Sequence, residues 1–172
     1  WQPDEDLFIE YFNQHPEVKL IIAPHVIDEN HLVEIIRKLK RPYVRYTRAN
    51  EKNVRKADCL IIDCFGLLSS IYRYGEIAYI GGGFGVGIHN TLEAAVYGIP
   101  VIFGPKYQKF QEAIQLLETK GAFSVKDYEE LKTLLDRMLT DEVFLRESGM
   151  NASNYVTSNA GATDKIMSMI NF

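Results

Sequence analysis

YIGGGFGVGIHNTLEAAVYGIPVIFGP, residues 79–105, reads as strand, glycine-rich loop, short helix and strand. The apolar run Ile77–Ile80 stops at Gly81, and Gly81, Gly82, Gly83, Gly85 and Gly87 place five glycines in seven positions. Such density is needed where backbone approaches something closely or takes positive φ. A helix is predicted from Thr91, with Asn90 as its cap and Glu93 at the third helical position, a capping-box pattern. Gly98 stops that helix, and Pro100 opens the apolar run Val101–Phe103. Unpaired N–H groups and the helix dipole both favour an anion at such a place, so the segment is expected to hold a phosphate-bearing ligand.

The flanking sequence repeats the alternation. Strands are predicted at Val18–Ala23, Pro42–Thr47, Cys59–Asp63 and Ala122–Val125. Between them lie helical patterns: Leu7, Phe8, Tyr11 and Phe12 behind Pro3; Leu32, Ile35, Ile36 and Leu39 behind Asp28; and Leu67–Tyr74. Phe110–Leu117, the run from Asp127 to Leu139, Glu142–Tyr155 and Thr163–Ile170 follow. Strands regularly separated by helices predict an α/β, Rossmann-like parallel sheet with helices on both faces. The 172 residues make one domain of ordinary size. A doubly wound sheet normally begins on a strand, whereas this sequence opens on a helix. It is therefore expected to be a domain excised from a longer protein.

Composition narrows the class. No apolar run approaches the roughly 20 residues that span a bilayer, so any membrane contact is expected to be peripheral. Cys59 and Cys64 are too few for a disulfide framework and poorly spaced for metal, and are read as buried free thiols. The net charge of −4 conceals nine Lys or Arg against one acid, Glu51, within residues 37–56. That segment suits an anionic partner, or is simply a solvated face. His15 and His31 are read as surface residues; four scattered histidines suggest no metal site.

Several chemistries fall on spacing. A dinucleotide fingerprint based on Gly81 and Gly83 would need glycine at Val86; one based on Gly83 and Gly85 would need it at Ile88. Ile88 and His89 stand where a P-loop requires Lys and Ser or Thr. Neither a G-x-S-x-G elbow nor an H-E-x-x-H helix occurs. There remain a glycine loop, a helix start and Glu93 one turn in, at the carboxyl end of a parallel strand, where ligands bind in open α/β sheets. Glu93 can accept from a ribose diol while amides ahead of it hold phosphate. That is the donor-site logic of two-domain GT-B glycosyltransferases.

The 79–105 block closely resembles the signature of the 3-deoxy-D-manno-octulosonic acid (Kdo) transferases, usually worded close to GGS…GGHNPLEPAAFGKPVLFGP. IIAPHVIDENH (residues 21–31) is similar to the family's P-R-H strand end, and DCFGLLSSIYRYGEIAYIGG (63–82) to its D-T-x-G-E-L…Y…AD…GG segment. The likeness covers about residues 18–125. It implies that residues 1–172 are the C-terminal, donor-nucleotide-binding half of an inverting, metal-independent enzyme. Such an enzyme moves Kdo from CMP-Kdo onto a lipid A precursor in lipopolysaccharide synthesis. Work at the cytoplasmic face of the bacterial inner membrane is also implied, with contact to an anionic membrane surface and no nucleic acid. The acceptor site and the general base would lie in an N-terminal domain outside this chain, so no catalytic residue, metal ligand or cofactor is expected here. By itself the chain would be inactive.

Carried over by position, Asn90, Thr91, Leu92 and Glu93 would contact the nucleotide, with Glu93 on the ribose. Gly82, Gly83 and His89 belong to the loop before them. Phe65, Gly66 and Leu67 would face base or phosphate, and Ala23, Pro24 and His25 would line the crevice. Three positions depart from the family: Pro24 replaces its usual Arg, Leu67 an acid and Ile88 a glycine. The missing guanidinium leaves His25, Lys106 or the Gly81–Gly87 amides as phosphate anchors. Alternatives are a UDP-sugar-binding or epimerase-type domain and a non-catalytic nucleotide-sugar-binding module. On the plainest reading, Asn90 and Glu93 only cap a helix.

Overall fold

A computed structural model describes residues 1–161 of the chain; the predicted helix Thr163–Ile170 lies outside the described residues. The elements are α1 (Gln2–Gln14), β1 (Leu20–Ile22), α2 (Glu29–Lys38), β2 (Tyr43–Arg45), α3 (Glu51–Val54) and β3 (Cys59–Ile61). They are followed by α4 (Leu68–Ile71), β4 (Ala78–Ile80), α5 (Leu92–Ala95), β5 (Val101–Phe103), α6 (Gln111–Glu118), β6 (Ala122–Ser124), α7 (Tyr128–Thr140) and α8 (Glu142–Asn159). Single 3₁₀ turns at Tyr46–Arg48 and Tyr72–Tyr74 complete the described residues.

Among the described residues all strand pairing is parallel, as expected, but divided into two three-stranded sheets ordered β1-β3-β2 and β4-β5-β6. Registers such as Ile22↔Ile61 and Arg45↔Ile61 in one, and Ile80↔Phe103↔Ser124 in the other, align the carboxyl ends within each sheet. Each central strand is the most buried of its sheet: β5 is wholly buried, and β3 has Cys59 and Ile61 buried. A strand covered on both faces has no water to turn a polar side chain toward.

Helix α1 joins the two halves. Ile9 and Phe12 enter the core around β1, β3 and α2, whereas Leu7 and Phe8 pack on the cluster of Ile102, Leu131 and Met138. At its far end the Tyr11 hydroxyl donates to Asp136 of α7 at 2.8 Å, and His15 stacks on the Tyr11 ring. The histidine expectation is corrected: His15 lies 3.5 Å from Asp136, and His31 is bonded at 2.9 Å to buried Glu5, so both are half-buried and partnered. Burial of Cys59 pushes its thiol up to about 12, while Cys64 is only half-buried; both are free. Asp28 and Asp127 cap α2 and α7 as predicted, accepting from the His31 and Glu130 amides. At Gly149, α8 crosses the turn after α5 so closely that a Cβ would stand 2.1 Å from the Gly98 carbonyl.

Candidate functional site

The loop after β4 is folded onto itself. Gly82 O accepts from the Gly85 and Gly87 amides at 2.9 and 3.1 Å, and Gly81 O from the His89 amide at 3.3 Å. Gly82 has φ +95°, and a Cβ there would meet Gly87 O at 2.2 Å. Opposite Gly83 lies Gly104, whose Cα would be 2.5 Å from an added Cβ, and the Lys106 amide donates to Gly83 O at 2.9 Å. Gly82 and Gly83 therefore let backbone pack on backbone, one of the two needs the glycine density announced.

A residue of α1 fixes the loop. Asp4, fully buried, accepts from the Gly82 amide and from the Tyr79 hydroxyl, each at 3.1 Å. Burial, then the Asp4 charge, holds the Tyr79 phenol well above its usual range. With the amides of Gly82, Gly85, Gly87 and His89 already bonded, the loop offers an anion fewer donors than its glycine count implied. Asp4 escaped the sequence reading because it stands in the acidic run Asp4–Asp6, which reads as a solvated helix start, although it lies one helical turn before Phe8 on the face that packs inward.

The loops after β1 and β4 meet at His25 and His89, whose rings stack with centroids 4.6 Å apart. Trp1 lies against both, 5.3 Å from His25 and 6.1 Å from His89, and its Nε1–H donates to His89 Nε2 at 2.8 Å. His89 thus accepts at Nε2. Partial burial and neighbouring His25 both lower its pKa, which favours that neutral form. A cavity of about 300 Å³ beside the pair is lined by Trp1, His25, Val26, Asp28 and His31. Trp1 was not among the expected site residues.

At the helix start the capping box is not formed. Asn90 Oδ1 accepts from the Leu92 amide at 3.0 Å, but Glu93 Oε1 accepts from the Asn90 side-chain amide at 3.1 Å, and α5 is only one turn long. Half-buried Glu93 is therefore set by Asn90, with no bond to Oε2 among the described residues. Thr91 is buried, its hydroxyl without a partner among the described residues, and Leu92 packs on the core. Ile88 also enters that core, so this departure from the family pattern does not crowd the crevice.

Phe65, Gly66 and Leu67 stand apart, with no bond or ring contact to His25 or His89 among the described residues. Phe65 is 84% exposed, Gly66 has φ +87°, and Leu67 opens α4. Their loop is held by Asp63, 1% exposed, which accepts from Arg45 Nε (2.8 Å), the Thr47 amide (2.9 Å) and the Thr47 hydroxyl (2.6 Å). Burial alone would raise this carboxyl, but the Thr47 and Arg45 bonds hold it at about 2. At the β1 end Pro24 is buried and Ala23 and His25 exposed, so of these three His25 is the one that offers a polar side chain.

No family model matches the sequence. Over 135 residues it is 36% identical to the 3-deoxy-D-manno-octulosonic acid transferase of Aquifex aeolicus (strain VF5), covering 77% of this chain and 37% of that protein. The chain is a relative of the Kdo transferases. The enzyme of the same name from Chlamydia muridarum is 28% identical over 157 residues, 90% of this chain and 36% of its own length. The chain thus spans little more than a third of either relative. Among solved structures, the C-terminal CMP-Kdo binding domain of WaaA from Acinetobacter baumannii superposes with a TM-score of 0.78 at 20% identity, covering 91% of this chain and 84% of that one. The fold is that of the C-terminal half of a GT-B glycosyltransferase.

Proposed function

We propose that the chain is the donor-binding half of a glycosyltransferase that moves Kdo from CMP-Kdo to a lipid A precursor at an anionic membrane surface, on the cytoplasmic face of the bacterial inner membrane. The observation that carries this is the kinship to Kdo transferases at 36% identity, together with a fold shared with a CMP-Kdo binding domain. In this reading Glu93 Oε2 accepts from the ribose diol while Asn90 holds Oε1 still. His25 and His89 supply ring donors at the mouth of the crevice, where the family's guanidinium is replaced by Pro24. Asn90, Thr91 and Leu92 shape the turn beneath the nucleotide, and the Phe65–Leu67 loop closes over it from β3. No residue of the chain performs the proton transfer; the general base and the acceptor site belong to an N-terminal domain. Relatives more than twice as long support that division. Inversion at the anomeric carbon proceeds without metal or cofactor.

The test is a transfer assay with the full-length protein, CMP-Kdo and lipid A precursor. Inverted Kdo–lipid product should form equally with and without EDTA. Transfer from a UDP-sugar but not CMP-Kdo would overturn the donor assignment, and nucleotide binding without transfer to any acceptor would favour a non-catalytic module.

A further inference from the structure

We propose that residues 46–56, between β2 and β3, form the surface by which the chain rests on anionic phospholipid. This builds on the reading that the acceptor is a lipid, and locates the contact. Of the nine cations of residues 37–56, the structure sorts seven into two kinds, Arg37 and Lys40 lying outside both. Arg41 donates to the carbonyls of Phe12, His15 and Pro16 and lies 4.0 Å over the Phe12 ring. Arg45 is bound to Asp63 and Glu29, and Lys38 pairs with Asp6. These three hold the fold. Arg48, Lys52, Arg55 and Lys56 are exposed, without an ion pair among the described residues, and share their nine-residue span with one acid, Glu51.

Apolar groups are interleaved with them. Tyr46 is 44% and Val54 48% exposed, and Tyr43 projects from edge strand β2. Tyrosine and short apolar side chains settle at headgroup depth while Lys and Arg reach lipid phosphates. Nucleic acid would use the cations but gain nothing from Val54. The segment is also fixed in place: Thr47 is tied to Asp63, two residues before exposed Phe65, so the basic surface adjoins a loop of the donor crevice. Because the whole chain carries a net charge of −4, the attraction is local and falls with salt.

Cosedimentation tests this with vesicles of phosphatidylcholine alone or of equal parts phosphatidylcholine and phosphatidylglycerol. The chain should sediment with the anionic vesicles only, and progressively less as salt rises. Each of Arg48→Gln, Lys52→Gln, Arg55→Gln and Lys56→Gln should weaken partition about fivefold. Val54→Ser should weaken it further, and CMP-Kdo affinity should be unchanged in all five. Equal sedimentation with both vesicle types, or wild-type partition in the combined four-cation variant, would overturn the proposal. So would tighter binding to a single-stranded oligonucleotide that survives Val54→Ser. Vesicle binding without CMP-Kdo binding would support this surface and refute the donor reading; the reverse would keep the donor and refute the surface.

Discussion

Glu93→Gln isolates one hydrogen bond. In the structure Glu93 Oε1 is occupied by the Asn90 side-chain amide at 3.1 Å, leaving Oε2 for a ligand hydroxyl. The substituted side chain keeps the shape and one acceptor but replaces the other with an N–H₂ donor, so one ribose bond to a charged acceptor is lost. Hydrogen bonds to charged groups contribute about 1.5–3 kcal/mol, which corresponds to roughly 10- to 150-fold in affinity. Fold stability should change by less than about 1 kcal/mol, since the Asn90 contact is exposed and survives through the amide oxygen. Titration calorimetry with CMP, alongside thermal unfolding, measures both quantities. An affinity within about twofold of wild type in a variant of unchanged stability would refute the ribose role and leave Glu93 as a turn residue.

Gly149→Ala should lower the melting temperature by several degrees, because a Cβ 2.1 Å from the Gly98 carbonyl forces α8 off the turn behind α5; overpacking of this kind costs about 1–3 kcal/mol. Asp63, held at about 2 in the fold against roughly 3.9 unfolded, lends stability that is full above the unfolded value and is lost as pH falls through about 2. Acid unfolding of Asp63→Asn should therefore be shallower over that window, and its stability at neutral pH lower by about 3 kcal/mol. Trp1 is the sole tryptophan and bonds His89, so its emission should show a component with a midpoint below the ordinary histidine value, and that low-pH component should be lost in His89→Gln, as fluorescence against pH would show.

The strand–helix alternation was legible because the apolar runs are those that become buried; Val101–Phe103 and Cys59–Ile61 have no solvated face to disguise them. What escaped depends on contacts distant in sequence. The glycine density announced a close approach of backbone, but nothing near Gly83 encodes Gly104, so the partner in that approach was not legible. The Asn90–Glu93 spacing did announce a capped turn, but with one turn of helix behind it the carboxylate bonds the Asn90 side chain instead of its backbone. Charge count made residues 37–56 a single basic segment; tertiary partners divided it, because Arg41 and Arg45 meet carbonyls and carboxylates from other elements. Trp1 and Asp4 were readable only as helix-start residues, although together they anchor the loop and the histidine pair.

Titration of the chain with CMP-Kdo, CMP and a UDP-sugar, followed by Trp1 emission, bears most directly on the donor site. Saturable change with both cytidine nucleotides and none with the UDP-sugar is predicted. Equal binding of the UDP-sugar, or a silent Trp1 with no cytidine nucleotide bound by calorimetry, would contradict it.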